Sequence, residues 1–284
     1  TAALVAFRQA ANLRHRYETD TPAHASGLVQ IALLSREPAN ARAAEEAIER
    51  AILAVPRGAQ TMSLMNTLGQ LRSGLGDYEG SLQAVARAVA EIDAHPHAEI
   101  AGRTINRLNY AWMSLKVRRD TATAAQQLQR VREEDAVNEG RSLNTGFALE
   151  VEAILDRLRG SPEESARKLA EAMAIANEFS GDSSPAYRRA EIERMLSLAA
   201  AADWAELQKA CDASLPAPGK DANPRRGIGL ALLALHRSGA IEAGRVLAEQ
   251  EVNTVSVQAV AYLWFALRDL QEAGVNLPTA KPKA

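Results

Sequence analysis

His95 and His97 flank Pro96, with Asp93 just upstream, and two imidazoles with a carboxylate make a donor set able to hold a divalent metal. The same residues also read as a helix end. Proline cannot continue a helix, and imidazoles beside it donate to the last free carbonyls at the negative end of the helix dipole. We therefore expect no metal there. Gly227 and Gly229 begin a dinucleotide-binding spacing, but Leu232 stands where the third glycine belongs and no strand pattern precedes it, so no phosphate-cradling turn is expected. The sequence contains no phosphate loop ending in Gly-Lys-Ser/Thr, no His-Glu-x-x-His helix and no Gly-x-Ser-x-Gly elbow. His15, His24 and His236 are isolated. Arg14, His15 and Arg16, with Arg8 one or two turns earlier, form a small basic cluster that we expect to be a solvated face; contact with an acidic segment or a phosphate is the sharper alternative. The chemistry expected is therefore recognition: a non-enzyme with no cofactor and no metal.

The elements that must position such a recognition surface are helices. Apolar residues make up 47% of the 284 residues and charged residues 24%, as in ordinary folded proteins, while aromatics are only 4% and alanine is abundant. Alanine and leucine favour helix, small side chains let helices approach closely, and no alternating run of β-branched residues signals a strand. An all-α chain is expected. The formal charge of −2 and pI near 6.2 provide no field to collect nucleic acid or an anionic membrane. Cys211 is the single cysteine, which excludes an intramolecular disulfide and a cysteine zinc cluster and fits a cytoplasmic setting, with the periplasm as the alternative. No apolar run is long enough to span a bilayer. A start at Thr1 is the pattern expected of a processed chain or of a piece of a larger protein.

Helical pairs follow one another along the chain. Met65, Leu68 and Gly69 precede the turn Gly76, Asp77, Tyr78, which is followed by Ser81, Val85 and Ala88, so 62–96 reads as one helix-turn-helix unit. Units of the same kind are expected at 25–58, 98–135, 142–180, 185–215 and 224–252, behind an N-terminal helix within 1–20. Their turns are marked by Pro38, Asp120, the Gly160-Ser161-Pro162 run and Gly239. A closing helix at 254–273 is apolar nearly all round, through Val257, Val260, Leu263, Trp264, Phe265, Leu267 and Leu270. It is expected to be buried, with a homodimer surface as the alternative. The segment from Pro216 to Pro224 reads as a loose loop, and 274–284 as a polar tail.

The offsets in 62–96 resemble the tetratricopeptide repeat (TPR), which places a large residue and then Leu-Gly on a first helix and small, large, small residues on a second. A unit of this kind cannot bury its apolar face alone, so the resemblance implies a right-handed α-α superhelix of about six pairs plus terminal helices, with a period of roughly 40 residues instead of 34. Trp112 falls where the family wants a small residue, implying a slipped register or a wider contact. The family lines its concave groove with first-helix positions, and that frame points Asn66, Gln70, Asn106, Asn109, Met113 and Lys116 inward, with Asn144 continuing the row. Asparagine both donates and accepts, so such a row can hold an extended peptide by its backbone. The resemblance implies a protein- or peptide-binding scaffold, set in the regulatory or sensor part of a larger bacterial signalling or transcription protein. Alternatives are a structural adaptor in an envelope or secretion assembly, dimeric through Trp264 and Phe265, and the helical arm of an enzyme whose catalytic domain lies elsewhere.

Overall fold

A computed structural model describes residues 4–10, 21–35, 37–95, 102–135, 141–214, 224–250, 261–272 and 274–275. The cluster of Arg14, His15 and Arg16, His97, the loop 216–223, the start of the closing helix at 254–260 and the tail from Asn276 lie outside the described residues. Among the described residues every regular element is a helix. After α1 (residues 4–10) come α2 (Pro22–Ser35), α3 (Pro38–Ala54), α4 (Ala59–Gly74), α5 (Tyr78–Ala94) and α6 (Arg103–Met113). A π-helical turn (Ser114–Arg118) leads to α7 (Thr121–Asp135), α8 (Leu143–Leu158), α9 (Pro162–Ser180), α10 (Pro185–Ala200), α11 (Trp204–Ala213), α12 (Pro224–Ser238), α13 (Ala240–Glu249) and α14 (Ala261–Glu272).

The helix ends explain why the chain turns where it does. Pro38, Pro162 and Pro185 sit in first turns, where no amide hydrogen is missed. Asp77, Ser142, Ser184 and Asp203 each accept a backbone N–H of the helix they precede. The turns inside the five pairs from α4–α5 to α12–α13 share one device, a residue with positive φ: Gly76 at 87°, Arg119 at 56°, Gly160 at 87°, Ala202 at 56° and Gly239 at 87°. At Gly76, Gly160 and Ala202 the two hydrogen bonds of a Schellman motif close the preceding helix, as in Asp77 N–H to the Arg72 carbonyl at 2.9 Å and Gly76 N–H to the Ser73 carbonyl at 3.1 Å. The device recurs roughly every 40 residues, which is the period of the array.

The chain divides into two compact units, Thr1–Arg118 and Arg119–Ala284, a subdivision the repeat pattern does not mark. In the first unit each helix from α2 to α6 packs on the next, and α2 also touches α4. Ile48, Leu64, Leu68, Leu71 and Ile92 form its centre. The Leu68-Gly69 step has a direct physical role: a Cβ on Gly69 would lie 2.9 Å from a Val85 methyl, and the Ser81 hydroxyl donates to the Gly69 carbonyl at 2.8 Å. Close approach of α4 and α5 therefore requires glycine on one helix and a small hydroxyl residue on the other.

In the second unit α8 packs on α9, α9 on α10, α10 on α11 and α12, and α12 on α13, while α8 also touches α10. Its largest cluster joins Ile192, Met195, Leu207, Ile228, Leu247 and Leu270. Gly229 is buried in α12, and a Cβ there would collide with the Cys211 sulfur and lie 2.9 Å from the Met195 sulfur. The Gly227-x-Gly229 spacing is thus a helix-packing feature. Burial also pushes the Cys211 thiol up to about 12, so it stays protonated through neutral pH.

Candidate functional site

Asn66 and Gln70 lie one turn apart on α4, Asn66 half-buried and Gln70 exposed. On α6, Asn109 is half-buried, whereas Asn106 is buried and its Nδ2 donates to the Gly102 carbonyl at 2.8 Å and meets the Met62 sulfur at 3.6 Å. That contact joins the starts of α4 and α6, where Met62 and Asn66 share one face of α4 and Asn106 and Asn109 one face of α6. The Oδ1 of Asn106 is buried and accepts no hydrogen bond.

The row does not continue along α6 as its spacing implied. Met113 is buried, and Lys116 is fully enclosed at 0% exposure. The cause is local. Trp112 is bulky and buried where the repeat pattern wants a small residue, and α6 passes at once into the π-helical turn. A π turn holds more residues than an α turn, so it rotates the face presented by every side chain after it. Projected on α-helical spacing Lys116 belongs to the stripe; in the structure it points into the protein. Asn144, at the start of α8 in the second unit, is exposed.

Of the metal-like set near Pro96, the described residues His95 and Asp93 have partners within the protein. The His95 ring, as its Nδ1–H tautomer, donates to the Glu91 carbonyl at 3.0 Å. Asp93 accepts from Arg107 at 2.7 Å, and the buried Glu91 carboxylate accepts from the Gly58 N–H at 2.8 Å, just ahead of α4. No cluster of three metal-ligating side chains exists among the described residues.

The second unit contains a feature that the sequence reading missed, a series of ion pairs linking first helices. Arg189 on α10 reaches Glu150 on α8 at 2.6 Å and lies 4.4 Å over the Phe147 ring. Arg157 on α8 meets Glu193 on α10 at 2.6 Å, and Arg225 on α12 meets Glu191 on α10 at 2.6 Å. Glu150, Glu191 and Glu193 are all buried. The available signal was the close run of Arg189, Glu191, Glu193 and Arg194, because a packed helix charged on several sides must find partners on its neighbours. On the rim, Arg194 holds the Glu206 carboxyl below its usual range by a hydrogen bond, helped by Lys209. Phe265 of the closing helix is fully enclosed and Trp264 half-buried.

No family model matches the chain, and no curated protein matches it by sequence. Solved structures do. A tetratricopeptide repeat protein from Parabacteroides merdae ATCC 43184 is similar over 93% of this chain and 92% of its own, at 15% identity and a TM-score of 0.61. A variant of the nearly identical TPR-like repeats of a putative kinesin light chain from Podosopora anserina is similar over 75% of this chain and 94% of its own, at 13% identity and a TM-score of 0.51. At such identities the likeness concerns the fold alone, and the helical pairs and their shared turn device agree with it: the chain has the all-α helical-repeat fold of TPR-like proteins.

Proposed function

We propose that this chain is a non-catalytic scaffold that binds an extended peptide or protein segment across α4 and α6 of its first unit. The observation that carries the reading is the pair of half-buried amides, Asn66 and Asn109, on helices joined at their starts, with exposed Gln70 one turn further along α4. Neutral amides offer a donor and an acceptor each, which suits main-chain recognition with little dependence on side-chain sequence. The side chains of Asn106, Met113 and Lys116 are buried and stand outside this solvated face.

The test is to pan a displayed peptide library on the immobilised full chain, then compare recovered clones on wild type and on an Asn66→Ala, Asn109→Ala double variant. Two amide contacts at about 0.5–1.5 kcal/mol each predict roughly a five-fold or greater loss of binding. Surface changes of this sort alter stability by only about 0.5 kcal/mol, so urea unfolding should match wild type. Equal binding by the double variant would remove the amide face from the reading, and a library that enriches no clone would remove peptide recognition itself.

A further inference from the structure

The middle of α10 is enclosed: from Ala190 to Leu198 every residue is buried except half-buried Arg194. Four of the helices around it, α8, α9, α11 and α12, belong to its own and adjoining pairs, but the fifth, α14, returns from the end of the chain to rest on α10 and α12. One edge of α14 is apolar and buried through Phe265, Ala266, Leu267 and Leu270. Ala266, Leu267 and Leu270 join the cluster that holds Ile192, Met195 and Ile228. Its flank carries two acids three residues apart. Asp269 accepts from Arg119 at 2.5 Å, Glu272 accepts from the same guanidinium at 3.1 Å, and the second oxygen of Asp269 lies 3.8 Å from Arg157. The seat thus presents Arg119 and Arg157 against Glu193, and α14 brings Asp269 and Glu272 against its own Arg268.

The match is complementary in sign but incompletely satisfied. The Nε–H of Arg157 on the seat is buried without a hydrogen-bond partner, while the Nε of Arg268 on α14 lies 3.4 Å from Glu272 of its own helix. Buried ionic contacts roughly break even against their desolvation, and the orphaned Arg157 donor moves the balance further from stability. Such a contact specifies which helix sits there better than it holds that helix down.

We propose that the face of α10 and α12 beneath α14 is a docking site for an amphipathic helix bearing two acids three residues apart beside its apolar edge, and that α14 occupies it in cis until a partner helix of that chemistry displaces it. The partner's chemistry is read from α14 itself, whose charges and apolar edge the seat already fits. A tethered helix competes at high effective concentration, so a free helix binds weakly to the wild type and tightly once α14 is loosened. This site lies in the second unit and does not rest on the reading of α4 and α6.

Two measurements on the full chain test it. Native-state hydrogen exchange on the wild type should show the amides of α14 opening separately from α10, with protection lower by about ten-fold or more; exchange of α14 only together with α10 would overturn the proposal without any variant. A labelled synthetic peptide of residues 261–275 should then bind Asp269→Asn, a near-isosteric change that removes the charge facing Arg119 and Arg157, about ten-fold more tightly than it binds wild type. Unchanged affinity would overturn the displacement, and equal binding by a peptide with both acids replaced by lysine would overturn the charge requirement.

Discussion

The two units build comparable first-helix faces and treat them in opposite ways. In the first, α4 and α6 leave Asn66, Gln70 and Asn109 wholly or partly in solvent. In the second, the middle of α10 is covered and carries buried ionic groups, with Glu191 and Glu193 buried against Arg225 and Arg157. Neutral amides can remain at a solvated face or exchange water for a ligand at modest cost. Carboxylates inside a packed helix have no such freedom and need a cation from a neighbouring element. One backbone plan therefore yields an accessible face or a filled one according to the side chains placed on it.

The largest test of this contrast is the loss of a cation. Arg157→Met removes the guanidinium 2.6 Å from Glu193, whose side chain is 0% exposed, and should destabilise the chain by about 3–5 kcal/mol in urea unfolding followed by circular dichroism. Adding Glu193→Leu should recover most of that loss, because no carboxylate is then left buried. In the first unit Arg87→Met should cost at most about 1 kcal/mol, since Arg87 and its partner Glu49 are 47% and 46% exposed and water takes over. Equal costs in the two units would break the comparison.

Helix approach gives a smaller effect. Gly229→Ala drives a methyl into the Cys211 sulfur and should cost about 1–3 kcal/mol, whereas Gly69→Ala asks only a Val85 methyl to give way and should fall at the low end of that range. Thermal melts of the two variants rank the contacts, and a larger drop for Gly69→Ala would reverse the assignment of the tighter one. The smallest effect lies in the turns. Ala202 holds φ 56° where Gly76 and Gly160 hold 87°. Ala202→Gly should therefore stabilise by about 1 kcal/mol, or raise Tm by about 2–4 °C, and Gly76→Ala should lower it by a similar amount. No gain from Ala202→Gly would mean that the second unit carries no strain at that turn.

Much of the fold was legible because its signals are local. Leu68-Gly69, the Gly76-Asp77 turn, Ser81 and Val85 announce two helices in close contact, and the structure uses each residue for that purpose. The prolines of first turns and the capping Asp and Ser residues mark helix starts that hold independently of tertiary context. The candidate site was legible only in part. Asn66, Gln70 and Asn109 reach solvent, but Lys116 does not, because the π-helical turn after Trp112 breaks the spacing from which its direction was inferred. The ion pairs of the second unit were hidden for another reason: each joins residues more than 30 positions apart, as in Arg189 with Glu150 and Arg225 with Glu191.

The sequence by itself determined helices, turns and period, since propensity, capping and left-handed turn residues act within a few positions of one another. Tertiary structure alone decided where the π turn re-aims the residues that follow α6 and which carboxylate meets which arginine. It also decided that α14 returns to cover α10, because burial and ion pairing depend on elements distant along the chain and no local pattern encodes their meeting.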